Sequence, residues 1–597
     1  MLYSNHPHTF HIPVMGLGFT IDTPYRVSQY GISSVISLVD DGLMEKMRRY
    51  FCEQLNLDYE PISHKEPDFR AARITAYLDL MDEMVKEKFK EFKQSVLQRR
   101  DEIEKYISLL PDLSELKLKF ENIVKSNISS QALYEWVERN LTAGSIDVNI
   151  MTKLDREIHV GTEKLPVEYN DAHAALRGFA QSTLSSSLVL SAGMNPRLYN
   201  YLETFKDFYP DSNGHLSKKI ILKVSDYRSA IIQGKYLAKK GLWVSEYRIE
   251  SGLNCGGHAF ASDGFLMGPI LEELSLKRDS LLAETFAILS AALIQKGLPC
   301  PTAPLPMKFT AQGGVGTAKE HNFLMDYYKL DSVGWGSPFL LVPEVVSLDE
   351  PTMQLLCEAK EEDLYLSGIS PLGVPFNNVR NNSKDVEKQA LIDSGNPGSH
   401  CPKRYACILN EFGVEGICSA SRKYQRLKIE ELNTKDFSPE KQKREYEKIV
   451  EKTCICLGLG SSALIEHEID HTVEGSGVSV CPGPNLAYFD KIVTLTEMVD
   501  HIYGRTNIIS RNDRPHMFLK ELELYVNYLH TLIEDADKPL QDKQLKYFNN
   551  FRQNILDGII YYRNLFNNND YFSEAQQAEL QKQLGDLDGK LVGIVMG

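Results

Sequence analysis

Short runs of apolar and β-branched residues, each closed by Gly, Ser, Asn or Asp, recur through the first 341 residues at 12–19, 32–38, 146–151, 188–192, 220–224, 242–249, 307–311 and 332–341. Stretches with apolar positions at helical spacing separate them. Nearly continuous apolar strands alternating with helices are what a parallel sheet buried on both faces requires. Eight such strands predict an α/β fold closed into a (β/α)8 TIM barrel, with its chemistry at the carboxyl ends of the strands.

The spacing is regular except between the second and third strands. There the segment MDEMVKEKFKEFKQSVLQRRDEIEKYISLL sets charged and apolar residues at helical intervals. It predicts a helical insertion over 42–143, lying on the barrel, with its charges on a solvated face. After about Pro351 the pattern changes: residues 395–425 are rich in Gly, Ser, Pro and Cys, and 495–591 are dense in Leu, Tyr and Phe at helical spacing. The expected division is therefore a barrel from 1–41 and 144–350, the insertion, and a mostly helical carboxyl-terminal domain over 351–597. No repeat of fixed period interrupts it.

Composition narrows the function classes. With 597 residues, 43% hydrophobic and 25% charged, the chain reads as a globular protein with more than one core. Its 66 Lys and Arg against 81 Asp and Glu leave a charge of −15, which disfavours a nucleic-acid partner. Residues 1–20 lack the basic start and apolar run of a signal peptide, and no apolar stretch is long enough to cross a bilayer. A cytoplasmic location without membrane contact follows as the expectation, with reduced thiols for the ten cysteines.

Two glycine motifs carry the chemistry. In KFTAQGGVGTAKEH (308–321) and DSVGWGSPFLLVPE (331–344), strands seven and eight run into glycine turns. Such turns let backbone N–H groups approach an anion, and a pair of them after the last two strands forms the usual barrel phosphate site. In RIESGLNCGGHAFASDG (248–264), His258 follows Gly256 and Gly257 at the end of strand six, where an imidazole would stand over the cavity and could move a proton.

These motifs resemble the nitronate monooxygenase family, also called 2-nitropropane dioxygenases, which is related to flavin-dependent enoyl-acyl carrier protein reductases. The resemblance spans 11–41 and 144–382. IPVMGLGFTIDTP is similar to the family's first strand, IDVNIM to its third and IILKVSD to its fifth; NCGGHAF is similar to its EAGGH, and TAQGGVGTAKEH and VGWGSPF to its AAGGI and GTRF turns. The resemblance implies FMN held by Met15, Gly16, Asn149, Lys223, Gly256, Gly257, Gln312, Gly313, Gly314, Gly336 and Ser337, with His258 as the catalytic proton-transfer residue. Cys255 and Pro338 depart from the family pattern. The implied function is an FMN-dependent oxidoreductase acting on a small molecule such as a nitroalkane. One alternative is an NAD(P)H-dependent reductase of enoyl thioesters, and another is a flavin and iron–sulfur electron-transfer or scaffold subunit. A homo-oligomer is compatible with each.

Six cysteines, Cys401, Cys407, Cys418, Cys454, Cys456 and Cys481, fall outside the barrel strands in Gly- and Pro-rich surroundings. They are candidates for an iron–sulfur cluster or zinc, although their spacing matches no standard motif, and the other reading is buried structural thiols. HEIDH (467–471) fits the H-E-x-x-H zinc pattern in letters, but no clear long helix leads into it.

Overall fold

The computed structural model describes residues 7–594 apart from 127, 162, 192, 262, 537 and 538. Eight parallel strands form one sheet: β1 (Phe10–His11), β2 (Ser34–Ser37), β3 (Ile146–Met151), β4 (Ser187–Ser191), β5 (Lys219–Val224), β6 (Val244–Glu250), β7 (Lys308–Gln312) and β8 (Ser332–Gly334). Their order runs β1, β8, β7, β6, β5, β4, β3, β2. A parallel bridge from Ile12 to Ser34 joins the two ends and closes the barrel. The (β/α)8 TIM barrel with a helical carboxyl-terminal region is thus the fold of this chain.

The strand ends differ most from the sequence reading in the first and last strands. The first strand stops at His11, because Pro13 lacks an N–H for the ladder and Gly16 turns the chain at φ +56°. The last stops at Gly334, and Ser337–Leu341 coils into a 3-10 turn that starts at a Ser-Pro pair. Ala192, which the fourth predicted strand includes, lies outside the described residues.

Between β2 and β3 run helix α1 (Asp41–Leu55) and the long helix α2 (Phe69–Ser95). The side chains of Ile74, Tyr77, Leu78, Met81, Val85, Phe89 and Phe92 repeat every three or four residues and are buried. That stripe lies against the helix Asp171–Gln181, which follows β3. Contact is close enough that a Cβ on Gly178 would meet the Cβ of Ile74 at 2.8 Å. At the head of α2, buried Arg70 pairs with Asp41 at 2.5 Å and Asp171 at 3.6 Å.

Beyond the barrel, helices α3 (Ile455–Glu466), α4 (Met517–Glu534), α5 (Asp542–Asn567) and α6 (Glu574–Gly593) dominate, with two short antiparallel ladders before them. Their apolar faces join the barrel's core in one cluster. Helix α3 crosses the barrel mouth so closely that a Cβ on Gly18 would lie 3.1 Å from the Leu459 carbonyl oxygen. Among the described residues no helix is long and apolar enough to cross a membrane.

Candidate active site

The carboxyl ends of the strands open into two adjoining cavities. The larger, about 350 Å³, is bordered by Asn149, Lys223, Glu250, His258, Phe260 and Phe376, with Leu17, Val39, Leu154, Leu372, Ile455 and Leu459 on its apolar side. The smaller, about 110 Å³, lies by the β7 and β8 turns and is bordered by Met15, Gln312, Gly313, Gly314, Gly336 and Ser337. Val14, Gly16, Glu250, Cys255, Gly256, Gly257 and Cys481 border both, so the two are lobes of one site. All twelve residues singled out in the sequence lie on these walls.

The smaller lobe is built for close backbone approach. Gly313 and Gly314 adopt φ +114° and +76°, which L side chains rarely reach. A Cβ on Gly314 would fall 2.0 Å from Asn254 Nδ2. The turn that follows does not offer a bare helix start, however. Thr317 and Glu320 form a capping box at the next helix, and the Glu320 carboxylate accepts the N–H groups of Gly316 and Thr317. Burial would raise the pKa of Glu320, but the Arg514 guanidinium at 2.8 Å holds it below the usual value. The anion at this helix start is therefore the protein's own, and an incoming phosphate is left to the glycine-turn amides.

In the larger lobe the Lys223 ammonium pairs with Glu250 at 2.6 Å, and Gln312 Nε2 donates to the other Glu250 oxygen at 2.6 Å. Lys223 thus has its charge matched inside the site. Asn149 Oδ1 and Gln312 Oε1 are buried acceptors with no partner. One borders each lobe, and a polar ligand with N–H or O–H groups would satisfy them.

His258 is fixed from outside the barrel. The strand Phe376–Val379 bridges His258 through Phe376, and Asn377 donates to the Cys255 and Gly257 carbonyls at 2.8 and 3.2 Å. The imidazole Nε2 stands 2.7 Å from Ser370 Oγ, and its ring packs edge-on against Phe376. Burial, with a smaller push from the Lys153 ammonium, lowers its pKa to about 4, so the ring is neutral at pH 7. Beside it, burial pushes the Cys255 thiol well up and the Cys481 thiol to about 12, so neither is a thiolate.

Several wall residues were missed by sequence reasoning. Glu250 is legible as the polar last residue of β6. Phe376 comes from the post-barrel segment that the resemblance covers; Ile455, Leu459, Cys481 and Gly483 come from farther along the chain, and no local pattern ties them to the barrel. Gly483 sits so near that a Cβ on Gly256 would meet its nitrogen at 3.2 Å and the Cys481 oxygen at 2.7 Å.

The six cysteines do not share one centre. Cys401, Cys407, Cys418, Cys454 and Cys456 pack together with Val39, Tyr405 and Leu457, while Cys481 belongs to the cavity wall. The expected iron–sulfur cluster or zinc gains no support: among the described residues no three His, Cys, Asp or Glu side chains are placed to hold a metal ion. HEIDH does not form a helix. His467 caps the end of α3 and bonds Asp22 and Ser347, Glu468 has φ +54°, and His471 bonds the Ile469 carbonyl.

No family model matches the chain, and no curated protein does. Among solved structures it is similar to FabK from Thermotoga maritima, at 12% identity over 88% of this chain and 96% of that one, with a TM-score of 0.36. It is also similar to the enoyl reductase domain of MlnA from the macrolactin biosynthesis cluster from Bacillus amyloliquefaciens, at 14% identity over 68% and 87%, with a TM-score of 0.33. A third is nitroalkane oxidase from Streptomyces ansochromogenes, at 10% identity over 60% and 80%, with a TM-score of 0.29. The barrel assignment rests on the chain's own eight-strand closure.

Proposed function

We propose that the chain is an FMN-dependent oxidoreductase resembling nitronate monooxygenase. The observation that carries this reading is the junction, at one end of the barrel, of a glycine-lined lobe with a lobe holding a buried neutral imidazole. The residues present fit the cofactor: Gly313, Gly314, Gly336 and Ser337 would hold its phosphate, and the unpartnered Asn149 and Gln312 oxygens, with Lys223, would meet its polar ring edge. When bound, FMN would supply two-electron transfer, which protein side chains cannot. His258 would take the α-proton of an activated carbon acid such as a nitroalkane, and the apolar wall would exclude water from the exchange.

The apolar side of the larger lobe favours a second reading, NAD(P)H-dependent reduction of an enoyl thioester. Leu17, Val39, Leu154, Leu372, Ile455 and Leu459 offer an acyl chain a continuous lining. In that case His258 would return a proton to carbon.

The purified protein is expected to show the visible absorbance of an oxidised flavin. Anaerobic mixing with a nitroalkane or with NADPH separates the readings, since only the true reductant bleaches it within turnover time. A colourless protein that takes up no added FMN would overturn both.

A further inference from the structure

Five thiols gather beside the active-site mouth; Cys456 borders the larger cavity, and Cys401, Cys407, Cys418 and Cys454 lie beyond its wall. Cys401 Sγ lies 3.8 Å from Cys407 Sγ, and the Cys418 and Cys454 thiols also reach Cys401. Cys401 is partly exposed, whereas Cys407, Cys418, Cys454 and Cys456 are buried. The loop between the pair is anchored. Lys403 pairs with Asp40 at 2.6 Å and with Glu474 at 2.9 Å, and Tyr405 donates to Asp40 at 2.9 Å. Asp40 is the N-cap of α1, so the two sulfurs are held as neighbours by the barrel itself. Ala406, one residue from Cys407, borders the larger cavity.

We propose that Cys401 and Cys407 form a redox-active dithiol that hydroperoxides convert to a reversible disulfide. Two properties single out Cys401, and the anchored loop that holds Cys407 at 3.8 Å makes Cys407 its partner. First, Cys401 combines access with a thiol partner at contact distance, which is the arrangement of an attacking and a resolving cysteine. Second, hydrogen bonds from Cys407 and Cys418 lower the pKa of Cys401, while those of Cys407 and Cys418 are raised, which favours Cys401 as the attacking sulfur.

The chemistry balances in two steps. The Cys401 thiolate attacks one oxygen of the hydroperoxide, an S–O bond forms as O–O breaks, and the departing oxygen takes a proton to leave as water or an alcohol. The Cys407 sulfur, giving up its proton, then attacks the sulfenic acid and releases water as the S–S bond forms. Two thiols lose two electrons and two protons in all, and the hydroperoxide gains them.

The test uses the full chain, reduced, freed of reductant and exposed to one equivalent of hydrogen peroxide, with alkylation and peptide mapping. The expected result is loss of two titratable thiols and a Cys401–Cys407 cross-linked peptide, both reversed by dithiothreitol. Cys407→Ser should leave Cys401 as a sulfenic acid that reacts with dimedone. Cys300→Ser should behave as the unmodified chain. Oxidation spread evenly over all ten cysteines, or a linkage to Cys401 from any sulfur but Cys407, would overturn the proposal. So would tightly bound zinc or iron in elemental analysis that shields the thiols until chelated, which would make the cluster a metal site instead.

Discussion

At the scale of the residue, the proposed mechanism turns on His258. Its ring is buried, its pKa is lowered to about 4, and its Nε2 is held 2.7 Å from Ser370. A base of that kind is unprotonated from neutrality down to about its own pKa. The acid limb of kcat/KM is therefore expected near pH 4 rather than near 6.5, and a pH–rate profile measures it. His258→Ala should keep bound FMN and slow turnover by about a hundredfold or more, the usual scale for losing a general base. Unchanged turnover on a true substrate would remove the imidazole from the mechanism. The residue was legible because two glycines before a histidine at a strand end mark a backbone turn over a cavity. Ser370, which orients it, was not, because a serine 112 positions away carries no local signal of the contact.

At the scale of the element, the glycine turns after β7 and β8 test the cofactor reading. Gly314 is a poor probe, since any side chain there meets Asn254 and must adopt a positive φ. Gly336 is a cleaner one. Its φ of −105° is negative, though its ψ of −90° lies outside the helical and extended regions, and a Cβ would meet only the Pro13 side chain, at 3.3 Å. Gly336→Asp sets a negative charge beside the proposed phosphate position, so it should yield folded protein with little or no flavin. Flavin content against protein concentration, with circular dichroism as the control, reads the result. Retained flavin would mean the phosphate lies elsewhere. Strand existence was legible at this scale because parallel buried strands are nearly all apolar, and β3 falls where its pattern put it. Strand ends were not. The runs after Ile12 and Gly334 stay apolar while the backbone turns, since those side chains remain buried in loops against the helical region.

At the scale of the whole molecule, the parts are welded by buried polar groups whose protonation sets the acid response. Glu521 on α4 accepts from Ser251 at the end of β6 at 2.6 Å and from the Met267 N–H at 2.8 Å, so a single carboxyl joins barrel and carboxyl-terminal helices. The sequence marked a change of pattern near Pro351 but could not show this join, because one glutamate among many in an amphipathic helix reads as solvated. Burial raises its pKa from 4.5 to about 7. A group raised in this way adds stability below its unfolded value, and that contribution is lost as pH rises from 4.5 through about 7. The buried imidazoles of His8 and His321, lowered by burial from 6.5 to about 4, act oppositely: their contribution is present above 6.5 and is lost as pH falls toward 4. Each group bends the stability curve by up to about 1.4 kcal/mol per pH unit within its window. Between 4.5 and 6.5 the two imidazoles outweigh the single carboxyl in the unmodified chain. Glu521→Gln keeps the Met267 N–H bond on its oxygen, reverses the Ser251 bond so that its amide donates, and removes the titration. The variant is therefore expected to melt higher than the unmodified chain at about pH 8, where the buried carboxylate is charged, and to match it near pH 4.5, where the carboxyl is neutral. Calorimetric Tm values across that range decide the matter, and a difference that stayed constant with pH would mean that Glu521 is solvated and does not weld the two halves.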